Sequence, residues 1–400
     1  MSALGTMFGA LSLTALVYLH ATPAQMGLLA AAEGVPVLLF SLFAGVWVDR
    51  VPRRAVMVAA DLGRFGLLLT VPGAAAFGWL RIEQLYAVAF GVSLLQLGFD
   101  LAYRAYLPAV VDRSRLFEAN SRLQASEAVT EVVSPAIGGG LVQALGGPAA
   151  VLVDALTFLC SAVSVALIGK REPPASRGPE RRGGVVAEIR EGLGTVWRSG
   201  VLRALVAGSG TFSFFGGFYA ALYPVFLIGT LGFSPLLMGV TVGAGGVGSV
   251  FGALAAEPMA RRLGLGRALV VSRVCYSAAG LLIPLAGGPK EVAFAMVVAS
   301  QLLGDPFWTT YDIASLSLRQ SLTPENLLGR VNSTMHVVQA GLLPLGSLLA
   351  GLLAETIGVR ETLALAVAGG AAGIVWLVAS PLPGLKQPFG DEVVLEVIDP

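Results

Sequence analysis

Charged side chains interrupt the longest apolar runs of the chain, where charge is costly. Asp61 and Arg64 lie one helical turn apart in one run, and Asp100 and Arg104 share the next. Asp305 and Asp312 lie two turns apart in a later run, with Phe307, Trp308 and Tyr311 between them. Glu33, Glu127, Glu131 and Asp154 complete the acidic set, and Arg273 is a further cation within an apolar run. An ionisable group in hydrocarbon is expensive unless paired or hydrated, so each is a functional candidate. The spacing of Asp61 and Arg64 suits mutual neutralisation on one helix face. A carboxyl group in an apolar cavity is driven towards its neutral form, which suits proton pick-up and release. Asp100, Asp305, Asp312, Glu33, Glu127 and Glu131 are therefore the candidates for proton coupling. For any one of them, a plain hydrogen-bonding role is the competing reading.

Other chemistry finds little material. His20 and His336 are too few and too far apart to hold a metal, and Cys160 and Cys275 read as apolar fillers rather than a disulfide. No convergent set of Cys, His, Asp or Ser points to an enzyme, and no cofactor is expected. Gly243-Ala244-Gly245-Gly246-Val247-Gly248 fits the dinucleotide pattern, but no strand precedes it, and it reads as a helix-packing surface. Asn332-Ser333-Thr334 is a sequon on the inner side, and no phosphate-binding loop is visible. The net charge of +1 excludes nucleic acid held by bulk electrostatics.

Composition explains what surrounds these residues. The 400 residues are 55% hydrophobic and only 13% charged, with a mean hydropathy of +0.78. A soluble domain carries about a quarter charged residues, so much of this surface must face lipid. Apolar runs long enough for a hydrocarbon core of about 30 Å predict spans near 3–20, 26–48, 55–79, 83–108, 124–145, 149–169, 204–229, 234–257, 268–288, 291–317, 331–357 and 361–380. Turn signals at Thr22-Pro23, Gly146-Gly147-Pro148, Ser234-Pro235 and Gly287-Gly288-Pro289 separate them. This is an all-α membrane protein of about 12 helices.

Charge bias orients the array. With both termini in the cytoplasm, inner segments hold 20 of the 26 basic residues, and eight of these fall between 170 and 203. The outer loops hold only Arg81, Lys290 and Arg360. Arg outnumbers Lys by 23 to three, and with 51 Gly this suggests a prokaryotic, GC-rich genome, so the expected location is the bacterial plasma (inner) membrane. Span 1 starts at residue 3 without a basic segment before it, so the natural start is expected upstream.

The 170–203 stretch divides the chain into halves at 1–169 and 204–380, followed by a cytoplasmic tail at 381–400. Val185 to Arg198 places Val186, Ile189, Leu193, Val196 and Trp197 along one side of an expected amphipathic helix on the inner membrane surface. The halves also resemble each other. At an offset of 212, Asp100, Asn120, Ser121, Gly139 and Gly146 meet Asp312, Asn332, Ser333, Gly351 and Gly358, and at 208 Asp49, Arg53 and Arg54 meet Glu257, Arg261 and Arg262. Two parallel six-helix repeats suit alternating access around a site near the midplane.

Between spans 2 and 3 stands Gly45-Val46-Trp47-Val48-Asp49-Arg50-Val51-Pro52-Arg53-Arg54. It resembles the loop motif G-x-x-x-D-R-x-G-R-R of the major facilitator superfamily, with Pro52 at the usual glycine. Ala102-Tyr103-Arg104-Ala105-Tyr106-Leu107-Pro108, then Leu116 and Ala119-Asn120-Ser121, resembles the transmembrane secretion effector branch, which includes macrolide-efflux and enterobactin-exporter proteins. Ser134-Pro135-Ala136-Ile137-Gly138-Gly139-Gly140 resembles the antiporter signature G-P-x-x-G-G, with Ser134 for the first glycine. There Pro135 would bend span 5, and Gly138 and Gly139 would allow close backbone approach.

The resemblance implies the major facilitator fold and proton-coupled efflux of small amphiphilic or drug-like compounds by a monomer. An importer or lipid-moving facilitator of the same fold, or a non-transporting sensor, is the alternative. In that superfamily spans 1, 4, 7 and 10 line the cavity, where Gln96, Phe215, Tyr219, Tyr223, Gln301, Trp308, Tyr311 and Gln339 would form a mostly apolar site. Gly45, Asp49, Arg50, Arg53 and Arg54 form the loop motif, and Arg104 is placed to meet Asp49 in an inner gate.

Overall fold

The computed structural model describes residues 9–48, 51–110, 116–168 and 193–384. Helix follows helix: α1 (Ala10–Leu13, continued by a π-helical turn at Thr14–Tyr18), α2 (Pro23–Val48), α3 (Arg53–Ala76), α4 (Ile82–Val110), α5 (Leu116–Leu145) and α6 (Gly147–Ala166). Then come α7 (Gly200–Pro224, continued by a π-helical segment at Val225–Thr230), α8 (Pro235–Leu263) and α9 (Leu265–Gly280, with a further turn at Leu282–Leu285). The last three are α10 (Lys290–Leu322), α11 (Glu325–Ile357) and α12 (Val359–Ala372, with a further turn at Ile374–Val378).

Among the described residues, 11 helices are long and apolar enough to cross a membrane. The described part of span 1 is too short to count with them, because residues 1–8 lie outside the described residues. Hydropathy marks only the lipid-buried part of a helix, so several helices outrun their predicted spans. α5 starts at Leu116 rather than 124, with an exposed Arg122–Glu118 ion pair at 2.7 Å in its polar first turns. α11 starts at Glu325 rather than 331. Of the expected amphipathic linker helix, 193–198 is helical, with Trp197 exposed, and 185–192 lies outside the described residues.

Sequence signals explain the helix ends. Before α2, the Thr22 amide donates to Gln25 Oε1 at 2.9 Å and the Gln25 amide to Thr22 Oγ1 at 3.3 Å, a reciprocal cap with Pro23 opening the helix. The repeat shows in backbone geometry. Gly146 (φ 84°, ψ 162°) precedes α6 and Gly358 (φ 100°, ψ 155°) precedes α12, 212 residues later. At the same offset, Ala21 N–H donates to Ala15 O at 3.0 Å and Phe233 N–H to Leu227 O at 2.9 Å. Each bond closes a π-helical end over a left-handed residue, His20 (φ 53°) or Gly232 (φ 65°). Histidine there costs about 1–2 kcal/mol relative to glycine.

Packing divides the chain into two compact units, Met1–Arg182 with Leu227–Gly243, and Gly183–Phe226 with Ala244–Pro400. In the first, Val56, Met57 and Ala60 of α3 bury against Phe99, Ala102 and Tyr106 of α4. In the second, α7 and α11 meet backbone to backbone: a Cβ at Gly217 would strike the Leu343 carbonyl, and one at Gly346 the Phe214 carbonyl. Ser347 Oγ donates to the Gly217 carbonyl across this contact at 3.0 Å. Close approach of this kind suits helices in lipid, where association rests on packing rather than on the hydrophobic effect. Large apolar side chains such as Leu254 (71% exposed) and Leu352 (61%) point outwards, as a lipid-facing surface requires.

Candidate functional site

In the first unit the polar side chains gather around Arg64. Asp61 and Arg64, both fully buried, form the ion pair their spacing predicts. The other terminal nitrogen, Nη1, donates to Gln96 Oε1 of α4, and Gln96 Nε2 donates to Asp100 Oδ1 at 2.8 Å. Only one orientation of the Gln96 amide serves both neighbours, since arginine only donates and a carboxylate only accepts. The guanidinium lies 4.7 Å from the Phe99 ring centre and 4.4 Å from that of Phe158 in α6. Asp154 of α6, 5% exposed, acts on Arg64 electrostatically, as Asp100 does. Three helices thus converge on one guanidinium. Three carboxylates act on Arg64, and the exposed Arg104 acts on Asp100 as a second cation.

Asp100 is half-buried, and Glu127 of α5, whose side chain is exposed, acts on it electrostatically. Glu131, one turn further along α5, is exposed too. Glu33 is an exposed residue of α2, where its backbone carbonyl accepts from Ser93 Oγ of α4 at 2.6 Å. Asp61 and Asp154 act on the same Arg64 as Asp100 does, yet sequence reasoning left both out of the proton-coupling set.

The loop motif is partly visible. Asp49 and Arg50 lie outside the described residues, Gly45 sits within α2, and Arg104 is exposed on α4. Arg53 opens α3. Arg54 donates from Nε to the Val165 carbonyl at 3.2 Å and from Nη2 to the Ala166 carbonyl. It thereby caps the C-terminal end of α6, where free carbonyls and the helix dipole favour a cation.

α5 runs unbroken through Pro135. Within the first unit it meets the N-terminal part of α8 in a reciprocal contact: a Cβ at Gly139 would strike the Pro235 carbonyl, and one at Gly239 the Pro135 carbonyl. Gly138 is buried one residue before. The partner glycine on α8 carries no signature of its own.

In the second unit the aromatic candidates separate. Arg273 of α9, 5% exposed, lies over three rings at 3.6 Å (Tyr311), 3.9 Å (Phe212) and 5.0 Å (Trp308). Phe212 and Trp308 stack at 4.9 Å, and Tyr276 meets the edge of Phe212 at 5.4 Å. Tyr311 is buried beneath this cation, while Trp308 stays 37% exposed. Asp305 packs against α8, where a Cβ at Gly245 would strike its carboxylate and crowd the Gln301 amide. Gly245 and Gly248 thus serve helix packing, as expected. Asp312 is exposed and acts electrostatically on Arg319, which donates to Asn332 Oδ1 at 3.1 Å.

The other candidates lie elsewhere in this unit. Phe215 packs against Gly369 and, with Phe214, Thr211, Val338, Leu342 and Trp376, lines an apolar cleft of ≈ 470 Å³. Tyr219 and Tyr223 neighbour each other at 6.3 Å, and the Gln339 carbonyl accepts from Ser213 Oγ at 2.7 Å. Sequence reasoning gave Arg273 no partner and passed over Tyr276. Arg273 lies 209 residues after Arg64, and its ring partner Tyr311 lies 212 after Phe99, so the repeat carried the signal.

The sequence matches the family model of the Major Facilitator Superfamily over residues 1–346. It is 29% identical over 348 residues to the multidrug efflux pump Tap of Mycolicibacterium fortuitum, covering 84% of this chain and 82% of that protein. It is 24% identical over 336 residues to macrolide efflux protein A of Streptococcus pyogenes, covering 82% and 80%. Among solved structures, the fold is similar to the nucleoside transporter NupG, with a TM-score of 0.77 at 12% identity over 94% of this chain and 97% of that one. A bacterial homologue of the iron transporter ferroportin in its inward-facing state gives 0.71 at 17% identity, over 94% and 95%.

Proposed function

The chain belongs to the major facilitator superfamily, is a transporter of small molecules and not an enzyme, and on that premise we propose that it is a proton-driven exporter of small amphiphilic compounds. The observation carrying this reading is the chain of contacts Asp61–Arg64–Gln96–Asp100, which joins a half-buried carboxyl to a fully buried ion pair inside membrane-spanning helices. Similarity to a multidrug pump and a macrolide exporter supports export.

In this mechanism Asp100 is the proton site. As a carboxylate it accepts from Gln96 and adds to the negative charge around Arg64. Protonation removes that charge and leaves Gln96 donating to a neutral carboxyl oxygen, a weaker bond than the one to the carboxylate. The Asp61–Arg64 pair stays, and the contact between α3 and α4 becomes the element that the proton biases. Proton entry and cargo release then favour one arrangement of the helices, and proton loss the other. The halves at 1–169 and 204–380 move against each other, joined by the 170–203 linker, with both termini in the cytoplasm. Asp49 and Arg104 would form and break an inner gate, and Asp49→Asn should cut transport with little effect on folding.

The test is transport by the purified protein in proteoliposomes, with an imposed pH gradient and a panel of aromatic and macrocyclic amphiphiles. Gradient-dependent accumulation of at least one compound is expected. Accumulation indifferent to the gradient, with Asp100→Asn as active as the wild type, would remove proton coupling at this site.

A further inference from the structure

The two halves place an arginine alike and neutralise it differently. Arg64 and Arg273 each lie over the ring that precedes an aspartate, Phe99 before Asp100 and Tyr311 before Asp312. Three residues before Arg64 stands Asp61, its ion-pair partner; three residues before Arg273 stands Val270, which can pair with nothing. Arg273 is held by rings instead, and its Nη1 is buried without a hydrogen-bond partner. Rings compensate a buried cation only in part, and a guanidinium is shaped to take a carboxylate.

What lies beside it shows what is missing. Trp308, over which Arg273 sits, is the most open ring of the cluster. Asp305 precedes it by three residues and Asp312 follows it by four, so both positions share its face of α10, with the Asp305 carboxylate turned towards Gly245 of α8. Asp305 and Arg273 also both act electrostatically on Tyr276. A face with a cation, an open indole and a carboxylate in turn is complementary to an aromatic molecule charged at both ends. It is not complementary to a simple cation, which Arg273 would repel, nor to a simple anion, which Asp305 would repel.

We propose that Arg273, Trp308 and Asp305 form a cargo-recognition site for aromatic zwitterions: Arg273 takes the carboxylate, Trp308 stacks on the ring and Asp305 takes the protonated amine. This rests on the export reading above and narrows its cargo class.

Four matched naphthalene probes separate the parts: 6-aminomethyl-2-naphthoic acid, 2-naphthoate, 2-naphthylmethylamine and 2-naphthalenemethanol. Their binding to the full chain in lipid nanodiscs is measured by titration calorimetry without any gradient, so export can fail while the site stands. The wild type should bind the zwitterion about tenfold or more tighter than the alcohol. Arg273→Gln should weaken the zwitterion and the naphthoate about tenfold and leave the amine and alcohol unchanged, with Arg273→Lys recovering part of the loss. Asp305→Asn should weaken the zwitterion and the amine alone. A wild type without preference for the zwitterion overturns the proposal. So does an Arg273→Gln protein that keeps the preference. Equal loss of all four probes in both Arg273 variants assigns Arg273 to folding and overturns it as well.

Discussion

Arg64 reaches Asp100 through a single side chain, since Gln96 accepts from the guanidinium and donates to the carboxylate at 2.8 Å. The link spans two helices and ends at a buried ion pair on one side and a half-buried carboxyl on the other. Any change in the charge of Asp100 is therefore felt at the α3–α4 contact.

Gln96→Leu keeps the volume of this link and removes its hydrogen bonds. An Arg64 nitrogen and an Asp100 oxygen then lose their partner, at about 1–3 kcal/mol for each buried group. We expect a lower melting temperature in detergent and uphill transport reduced about tenfold or more. Wild-type transport in this variant takes the relay out of the mechanism.

The Asp61–Arg64 pair is expected to behave as buried pairs do. Removing one partner leaves an uncompensated charge, so Asp61→Leu should cost about 3–5 kcal/mol, whereas the Asp61→Leu/Arg64→Met double variant should cost clearly less. Denaturation of the two proteins in the same detergent compares them. A double variant no more stable than the single one means that Arg64 is held chiefly by Gln96 and the two rings.

The sequence made the local relationships legible and hid the distant ones. Asp61 and Arg64 are one turn apart, so their pairing follows from helix geometry alone. Gln96 was expected to line a cavity, because nothing local shows that Arg64, 32 residues earlier, occupies its amide oxygen. Arg273 stayed unexplained for the same reason, since its rings come from α7 and α10. The helix ends at Thr22-Pro23 and Gly146 were readable because caps and left-handed glycines are local. The true starts of α5 and α11 were not, because polar turns continue a helix beyond the apolar run that announces it.

The α5–α8 contact gives a matched pair of substitutions. A methyl group at Gly139 would meet the Pro235 backbone, whereas one at Gly140 meets only Leu236 Cδ1 at 3.5 Å. Gly139→Ala should lower transport about tenfold, and Gly140→Ala should leave it near the wild-type rate. Transport rates per folded protein decide it, and equal rates would show that α5 and α8 need not approach so closely during transport.

Topology is tested with single cysteines in a Cys160→Ala/Cys275→Ala background. Arg81 and Lys290 are exposed and assigned to the outer side, so Arg81→Cys and Lys290→Cys should react with an impermeant thiol reagent in intact cells. Ser176→Cys should react only after lysis. Labelling of Ser176→Cys in intact cells reverses the orientation.

Proton coupling at Asp100 is tested most directly by comparing two modes of transport in the same vesicles. Asp100→Asn mimics the permanently protonated carboxyl, and Asp305→Asn and Asp312→Asn serve as parallel variants. The Asp100→Asn protein should exchange labelled cargo down its gradient at near the wild-type rate, yet fail to concentrate it when a pH difference is imposed. Uphill accumulation by Asp100→Asn at the wild-type level would contradict coupling at Asp100, and equal loss of exchange and accumulation would make Asp100 a structural residue.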